Sequence, residues 1–91
     1  MSDLSRYLDK QLENPAFRKE YEASREDFEV ARALIAARLD AHLTQKELAQ
    51  KSGIRQSNIS RIENGNSSPT VSTLRALAVG MGKKLKISFI D

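Results

Sequence analysis

The chain has 91 residues, 40% of them hydrophobic and 30% charged, with 15 Lys and Arg against 12 Asp and Glu for a net charge of +3. That length suits one small globular domain with at most an appendage, and only a modest core. With no cysteine, a single histidine (His42) and dispersed acids, neither a nucleophile–base pair nor a metal cluster can be built, and no apolar run reaches the length of a signal-peptide core or membrane span; the expectation is a cytoplasmic protein that is not an enzyme and has no cofactor, no metal site and no membrane contact.

At the N-terminus Leu4, Tyr7, Leu8 and Leu12 recur at i, i+3, i+4 and i+8, a narrow apolar stripe on a helix that must end near Asn14-Pro15. Asn14 is then placed to cap a new helix with Pro15 at its first position. Phe17 and Tyr21 continue along one side of it, in phase with Phe28. Ser24-Arg-Glu-Asp27 has the form of a capping box, so the spacing allows either an unbroken helix or a break near Ser24. From Glu26 to Leu43, the residues Phe28, Ala31, Leu34, Ile35 and Leu39 give a scaffold helix with one apolar side. His42 falls at its end, where positive charge suits the helix dipole.

The segment Thr44–Gly65, TQKELAQKSGIRQSNISRIENG, predicts two short helices joined by a sharp turn. Thr44 and Glu47 form a T-x-x-E capping box that satisfies orphan amides at a helix start. Leu48 and Ala49 face inward, small Ala49 allowing a second helix to cross closely, and Gly53 supplies a left-handed residue that reverses the chain. Ile54, Ile59 and Ile62 mark the buried side of the second helix and leave Gln56, Ser57, Asn58 and Arg61 outward. All four types can read base edges: Arg bonds guanine O6 and N7 bidentately, and Gln or Asn bonds adenine N6 and N7. A plain helical hairpin does not need a small residue, a turn glycine and an acid-free polar cluster at these offsets, so a helix-turn-helix that reads DNA is the favoured reading.

After Gly65, Asn66-Ser-Ser-Pro69 is loop chemistry, Thr70 and Ser72 are candidate caps, and Leu74, Leu77, Ala78 and Met81 give a further buried stripe. The tail Lys83–Asp91 alternates, with Leu85, Ile87 and Phe89 on one face and Lys84, Lys86 and Ser88 on the other, which predicts a strand. No other segment has that period, so a partner strand must come from a second molecule. Antiparallel pairing across a two-fold axis is the simplest solution, with packing on the chain's own helices as the alternative. Charge divides unevenly: residues 44–91 hold three acids (Glu47, Glu63, Asp91) against eight bases, a net of +5 located with the motif, as phosphate attraction requires.

The fold expected is therefore mainly α: a helix-turn-helix core of four to five helices, an N-terminal helical arm, and one C-terminal β-strand pairing between subunits. Residues 1–25 form the arm, 26–82 the DNA-binding domain and 83–91 the dimerisation strand. The arm's apolar residues lie outside a domain complete without them. They serve either as extra core or, in the favoured reading, as an amphipathic helix inserted into a partner's groove.

ELAQKSGIRQSNISRIENG resembles the helix-turn-helix of the Cro/repressor (XRE) family, close to that of lambdoid phage repressors. The resemblance implies that Gln45 grips a phosphate, that Gln56, Ser57 and Arg61 read bases, and that Asn64 meets the DNA backbone. Arg55 departs from the pattern, standing where the family usually has a Ser or Thr cap, and either leaves a frayed helix start or reaches a phosphate. The expected DNA-contacting set is Thr44, Gln45, Arg55, Gln56, Ser57, Asn58, Arg61 and Asn64. Arm, FEVARALIAARLDAHLTQKELA and closing KKLKISF together are similar to HigA-type antitoxins of bacterial toxin–antitoxin pairs. That likeness implies a RelE-like (HigB-type) ribonuclease toxin as partner, neutralised by contact with Leu4, Tyr7, Leu8, Leu12, Phe17 and Tyr21, and repression of the shared operon; the homodimer expected from the tail's alternation pairs through Leu85, Ile87 and Phe89. The alternative is a stand-alone Cro/repressor-type transcriptional regulator with no toxin partner.

Overall fold

A computed structural model describes residues 15–91, with side chains from Arg25 onward. It contains four helices: α1 Pro15–Asp40, α2 Gln45–Ser52, α3 Gln56–Glu63 and α4 Val71–Gly80. The mainly α architecture follows the expectation. Helix α1 packs on α3, while α2 packs on both α3 and α4.

Helix α1 runs 26 residues without a break at Ser24, so the capping box read at Ser24–Asp27 is not used. Residues 16–37 contain no Gly or Pro and are rich in Ala, Glu and Arg. Extending an existing helix across one serine is cheaper than nucleating a second one. The expected boundary between arm and domain, at residues 25 and 26, therefore falls inside a single helix. Its inward side follows positions 27, 30, 31, 34, 37, 38 and 41, with Ala31 and Leu34 fully buried. Two members of the expected apolar stripe lie off that line, Phe28 at 57% and Leu39 at 59% exposure. Phe28 nonetheless lies across Gly65, its ring 3.0 Å from where a β-carbon there would sit.

The helix stops at Asp40, and His42, two residues on, takes the left-handed region at φ 58°. His42 N–H donates to Leu39 O at 3.0 Å and Leu43 N–H to Arg38 O at 3.2 Å, the paired bonds of a Schellman stop. A histidine here carries a steric cost that glycine avoids.

The core is Leu34, Leu48, Ile59, Ile62 and Leu77, flanked by Val30, Leu43, Ala49, Ile54 and Met81. Helix α4 is started by Thr70, whose Oγ1 accepts the Thr73 N–H at 3.1 Å, and buries Leu77 and Ala78. Its last turn closes onto the end of α2 so tightly that a β-carbon on Gly80 would stand 2.9 Å from Ser52 Cβ.

Residues 83–91 carry no strand assignment, and no strand is present among the described residues. Alternation alone cannot make a ladder, because a strand's N–H and C=O groups need a neighbour to bond. Instead the first half of the tail lies along a groove of about 730 Å³ between α1 and α4, floored by Val30, Leu34, Leu77 and Met81. Lys83 Nζ meets Asp40 Oδ2 at 2.6 Å and anchors its root. Of the three residues expected to dimerise, Leu85 is 37% exposed, Ile87 58% and Phe89 99%.

Candidate nucleic-acid interface

The helix pair α2–α3 forms as the residue pattern dictates. Thr44 adopts an extended cap conformation, its Oγ1 accepting the Glu47 N–H at 3.0 Å while Glu47 Oε1 accepts the Thr44 N–H at 3.0 Å. The backbone and hydroxyl of Thr44 hold the Glu47 carboxyl below the usual carboxylate range, since both bonds favour the charged form. Helix α2 stops at Gly53 with φ 76°, whose N–H donates to Ala49 O at 3.0 Å. The Ser52 hydroxyl accepts the Ile54 N–H at 3.1 Å and fixes the exit from the turn.

Arg55 is the cap residue of α3, at φ −60° and ψ 140°, and makes no side-chain cap bond. An arginine has no acceptor to offer an amide, so its guanidinium stays exposed beside the helix start. Ile59 and Ile62 are buried at 0% and 2% exposure and press one side of α3 into the core. Gln56, Ser57, Asn58 and Arg61 are all exposed, with Ser57 and Asn58 four and three residues before Arg61 and so close to it on the helix surface. Asn64, also exposed, is the C-cap of α3.

Gln45 lies at the start of α2, half-buried, with Nε2 donating to Glu63 Oε1 at 3.2 Å. Glu63 is in turn held by Arg38, Nε to Oε2 at 2.8 Å and Nη2 to Oε1 at 2.9 Å, while Arg38 Nη1 donates to Leu43 O at 3.0 Å. The pair is well enclosed, with side-chain exposures of 14% for Arg38 and 6% for Glu63. The hydrogen bonds to Glu63 raise the Arg38 pKa above its ordinary value. Sequence reading missed this cluster: Arg38 and Gln45 stand 25 and 18 residues from Glu63, and a charged residue on an amphipathic helix gives no local sign of a distant partner.

The electrostatic result favours an anionic ligand. Glu63 is neutralised by Arg38 and Glu47 is engaged in its capping box, whereas Lys46, Lys51, Arg55 and Arg61 of the same segment are exposed. Among the described residues no acidic, histidine or cysteine group could hold a metal ion, and no helix is long and apolar enough to cross a membrane. Of the residues expected to meet a partner protein, Leu4, Tyr7, Leu8 and Leu12 lie outside the described residues, and Phe17 and Tyr21 fall in the first two turns of α1.

Comparison with known proteins agrees with this geometry. The helix-turn-helix family profile matches residues 34–87, from the last two turns of α1 into the tail. The chain is 33% identical over 86 residues to antitoxin HigA1 of Mycobacterium tuberculosis, covering 93% of this chain and 58% of that protein. It is 41% identical over 54 residues to an uncharacterized HTH-type transcriptional regulator of Haemophilus influenzae, covering 59% of this chain and 55% of that one. The chain thus spans less than two thirds of the length of these relatives. No solved structure gives a significant match. The chain belongs to the helix-turn-helix family in its Cro/repressor (XRE) branch, and over most of its length it is similar to a HigA-type antitoxin.

Proposed function

We propose that this protein is a non-enzymatic regulator that binds operator DNA through α3 and neutralises a RelE-like, HigB-type toxin encoded with it. The observation that carries the DNA half is the division of α3: Ile59 and Ile62 fix its orientation from inside, and Gln56, Ser57, Asn58 and Arg61 stand free outside. Gln56, Ser57 and Arg61 read bases in the major groove, with Asn58 beside them. Thr44, Gln45, Arg55 and Asn64 set the register by meeting the sugar-phosphate backbone. Two copies paired through Leu85, Ile87 and Phe89 place their α3 helices in successive major grooves, about 34 Å apart, on a palindromic site.

The toxin half rests on the similarity to antitoxin HigA1, which extends beyond the helix-turn-helix over 93% of the chain. The apolar arm residues Leu4, Tyr7, Leu8, Leu12, Phe17 and Tyr21 form the toxin contact. The likeness to an HTH-type transcriptional regulator supports the second reading, a stand-alone repressor. Co-expression with a HigB-type toxin, a small basic protein if one is encoded beside it, separates the two. The antitoxin reading expects a complex that survives size exclusion, a toxin inactive in the complex, and loss of both on removing residues 1–14, which leaves α1 whole. Operator binding with no stable complex and undiminished toxicity would establish the stand-alone regulator instead.

A further inference from the structure

We infer that Glu63 is a positioning residue for DNA binding: clamped by Arg38, its carboxylate holds the Gln45 amide so that the second Nε2 hydrogen points to a backbone phosphate. The inference rests on the reading of α2–α3 as a DNA interface and deepens it.

Three donors converge on one carboxylate. Arg38 occupies Glu63 Oε2 through Nε at 2.8 Å and Oε1 through Nη2 at 2.9 Å, and Gln45 Nε2 adds a third bond to Oε1 at 3.2 Å. A glutamine side chain left free rotates about three torsions, and freezing it on a ligand costs rotamer entropy at binding. Here the freezing is done in the free protein. An amide nitrogen has two hydrogens; one is spent on Glu63, which fixes the plane of the amide and the direction of the other. Arg38 has a second part in the arrangement. A bare carboxylate beside a phosphate site would repel the ligand, and the two-point guanidinium clamp at 14% and 6% exposure removes that charge from the surface. Arg38 is itself aimed by the Leu43 carbonyl, 3.0 Å from Nη1, so the stop of α1, the start of α2 and the end of α3 are locked at one point.

The test replaces the pair by apolar residues together, Arg38→Met with Glu63→Leu, which leaves the net charge unchanged. Such exchanges of an enclosed ion pair commonly preserve folding; thermal melts and circular dichroism establish that before binding is measured. Operator affinity and its salt dependence are then determined for the wild type, the double variant, Gln45→Ala, and the triple combination. The inference expects Gln45→Ala and the double variant each to weaken binding by about tenfold on every sequence alike. Neither should change the slope of log K against log salt, because a neutral amide neutralises no phosphate and releases no counterion. Adding Gln45→Ala to the double variant should cost nothing further. Were the pair merely structural, the double variant would shift the melt, bind operator with wild-type affinity, and still lose the full factor on Gln45→Ala; that retained penalty overturns the inference. If Gln45→Ala has no effect in the wild-type background, the phosphate role of Gln45 fails first. If the wild type binds no operator, the DNA reading itself fails. A double variant that does not fold is replaced by Glu63→Gln, which keeps an acceptor for Gln45 and must then retain the full Gln45→Ala penalty; loss of that penalty counts against the inference.

Discussion

Ile59→Val is the most informative perturbation of the interface's support, because it removes one methylene from a side chain with 0% exposure and changes nothing on the outer side of α3. Valine shares the β-branch, so helix propensity is almost unchanged. The lost transfer free energy is about 0.8 kcal/mol for one buried methylene. The gap left behind among Leu34, Leu48, Ile62 and Leu77 adds a cavity term that brings the expected loss to between about 0.8 and 1.5 kcal/mol. For a domain of this size each kcal/mol lowers Tm by about 4–8 °C, so a fall of about 3–12 °C is predicted. Urea unfolding should show a lower midpoint with an unchanged m-value. Operator affinity measured well below Tm should stay within about twofold of wild type, since additive effects are expected at sites without shared partners. An unchanged Tm would mean that Ile59 is not in a close-packed core. A large loss of affinity with unchanged stability would mean that the inward and outward sides of α3 have been assigned the wrong way round.

Thr44→Ala removes the acceptor for the Glu47 N–H and should cost about 1 kcal/mol in stability, read by thermal or urea melts. The pH dependence follows from the carboxyls of Glu47 and Asp40, both held below their ordinary values, Glu47 by Thr44 and Asp40 by Lys83. A carboxylate with a lowered folded-state pKa contributes stability that is complete above its unfolded value and is lost as pH falls through the folded one. Melts should therefore be flat from neutral pH down to about 5 and decline below the ordinary carboxylate range near pH 4. In Glu47→Gln the acid limb should be shallower. His42→Gly relieves a left-handed residue at φ 58° and should raise stability by about 0.5–1 kcal/mol after the added chain entropy is subtracted; a loss would show that the imidazole makes a compensating contact. Ile87→Lys puts a charge on the tail's apolar side and should lower the sedimentation mass toward that of a monomer, whereas an unchanged mass would remove the strand-pairing proposal.

How much of this was legible in the sequence depends on how local the physics is. The Thr44–Glu47 box, the Gly53 turn and the inward Ile59 and Ile62 were all readable because each rests on residues within four positions. The Arg55 departure was readable in the same way, and the missing cap bond is as its chemistry requires. The Ser24 box failed because a local start signal competes with a helix already propagating from Pro15. The stripe on α1 was misplaced at Phe28 and Leu39 because several apolar residues in one helix permit more than one face, and the packing of α1 on α3 chooses between them. The Arg38–Glu63–Gln45 cluster was out of reach for a different reason: it joins three helices, and only their packing brings the groups together. Alternation in the tail was visible, yet a strand is a property of two segments, and residues 83–91 form none within the chain.

The central claim is that α3 reads bases, and Arg61 tests it most directly. Binding of wild type and Arg61→Ala should be compared at fixed salt over a library of operators varied one base pair at a time. Base reading by Arg61 predicts a loss of about 1–3 kcal/mol concentrated at a single base-pair position, where the variant no longer distinguishes the preferred base, with preferences elsewhere retained. A loss spread equally over every sequence, or no loss at all, would contradict it.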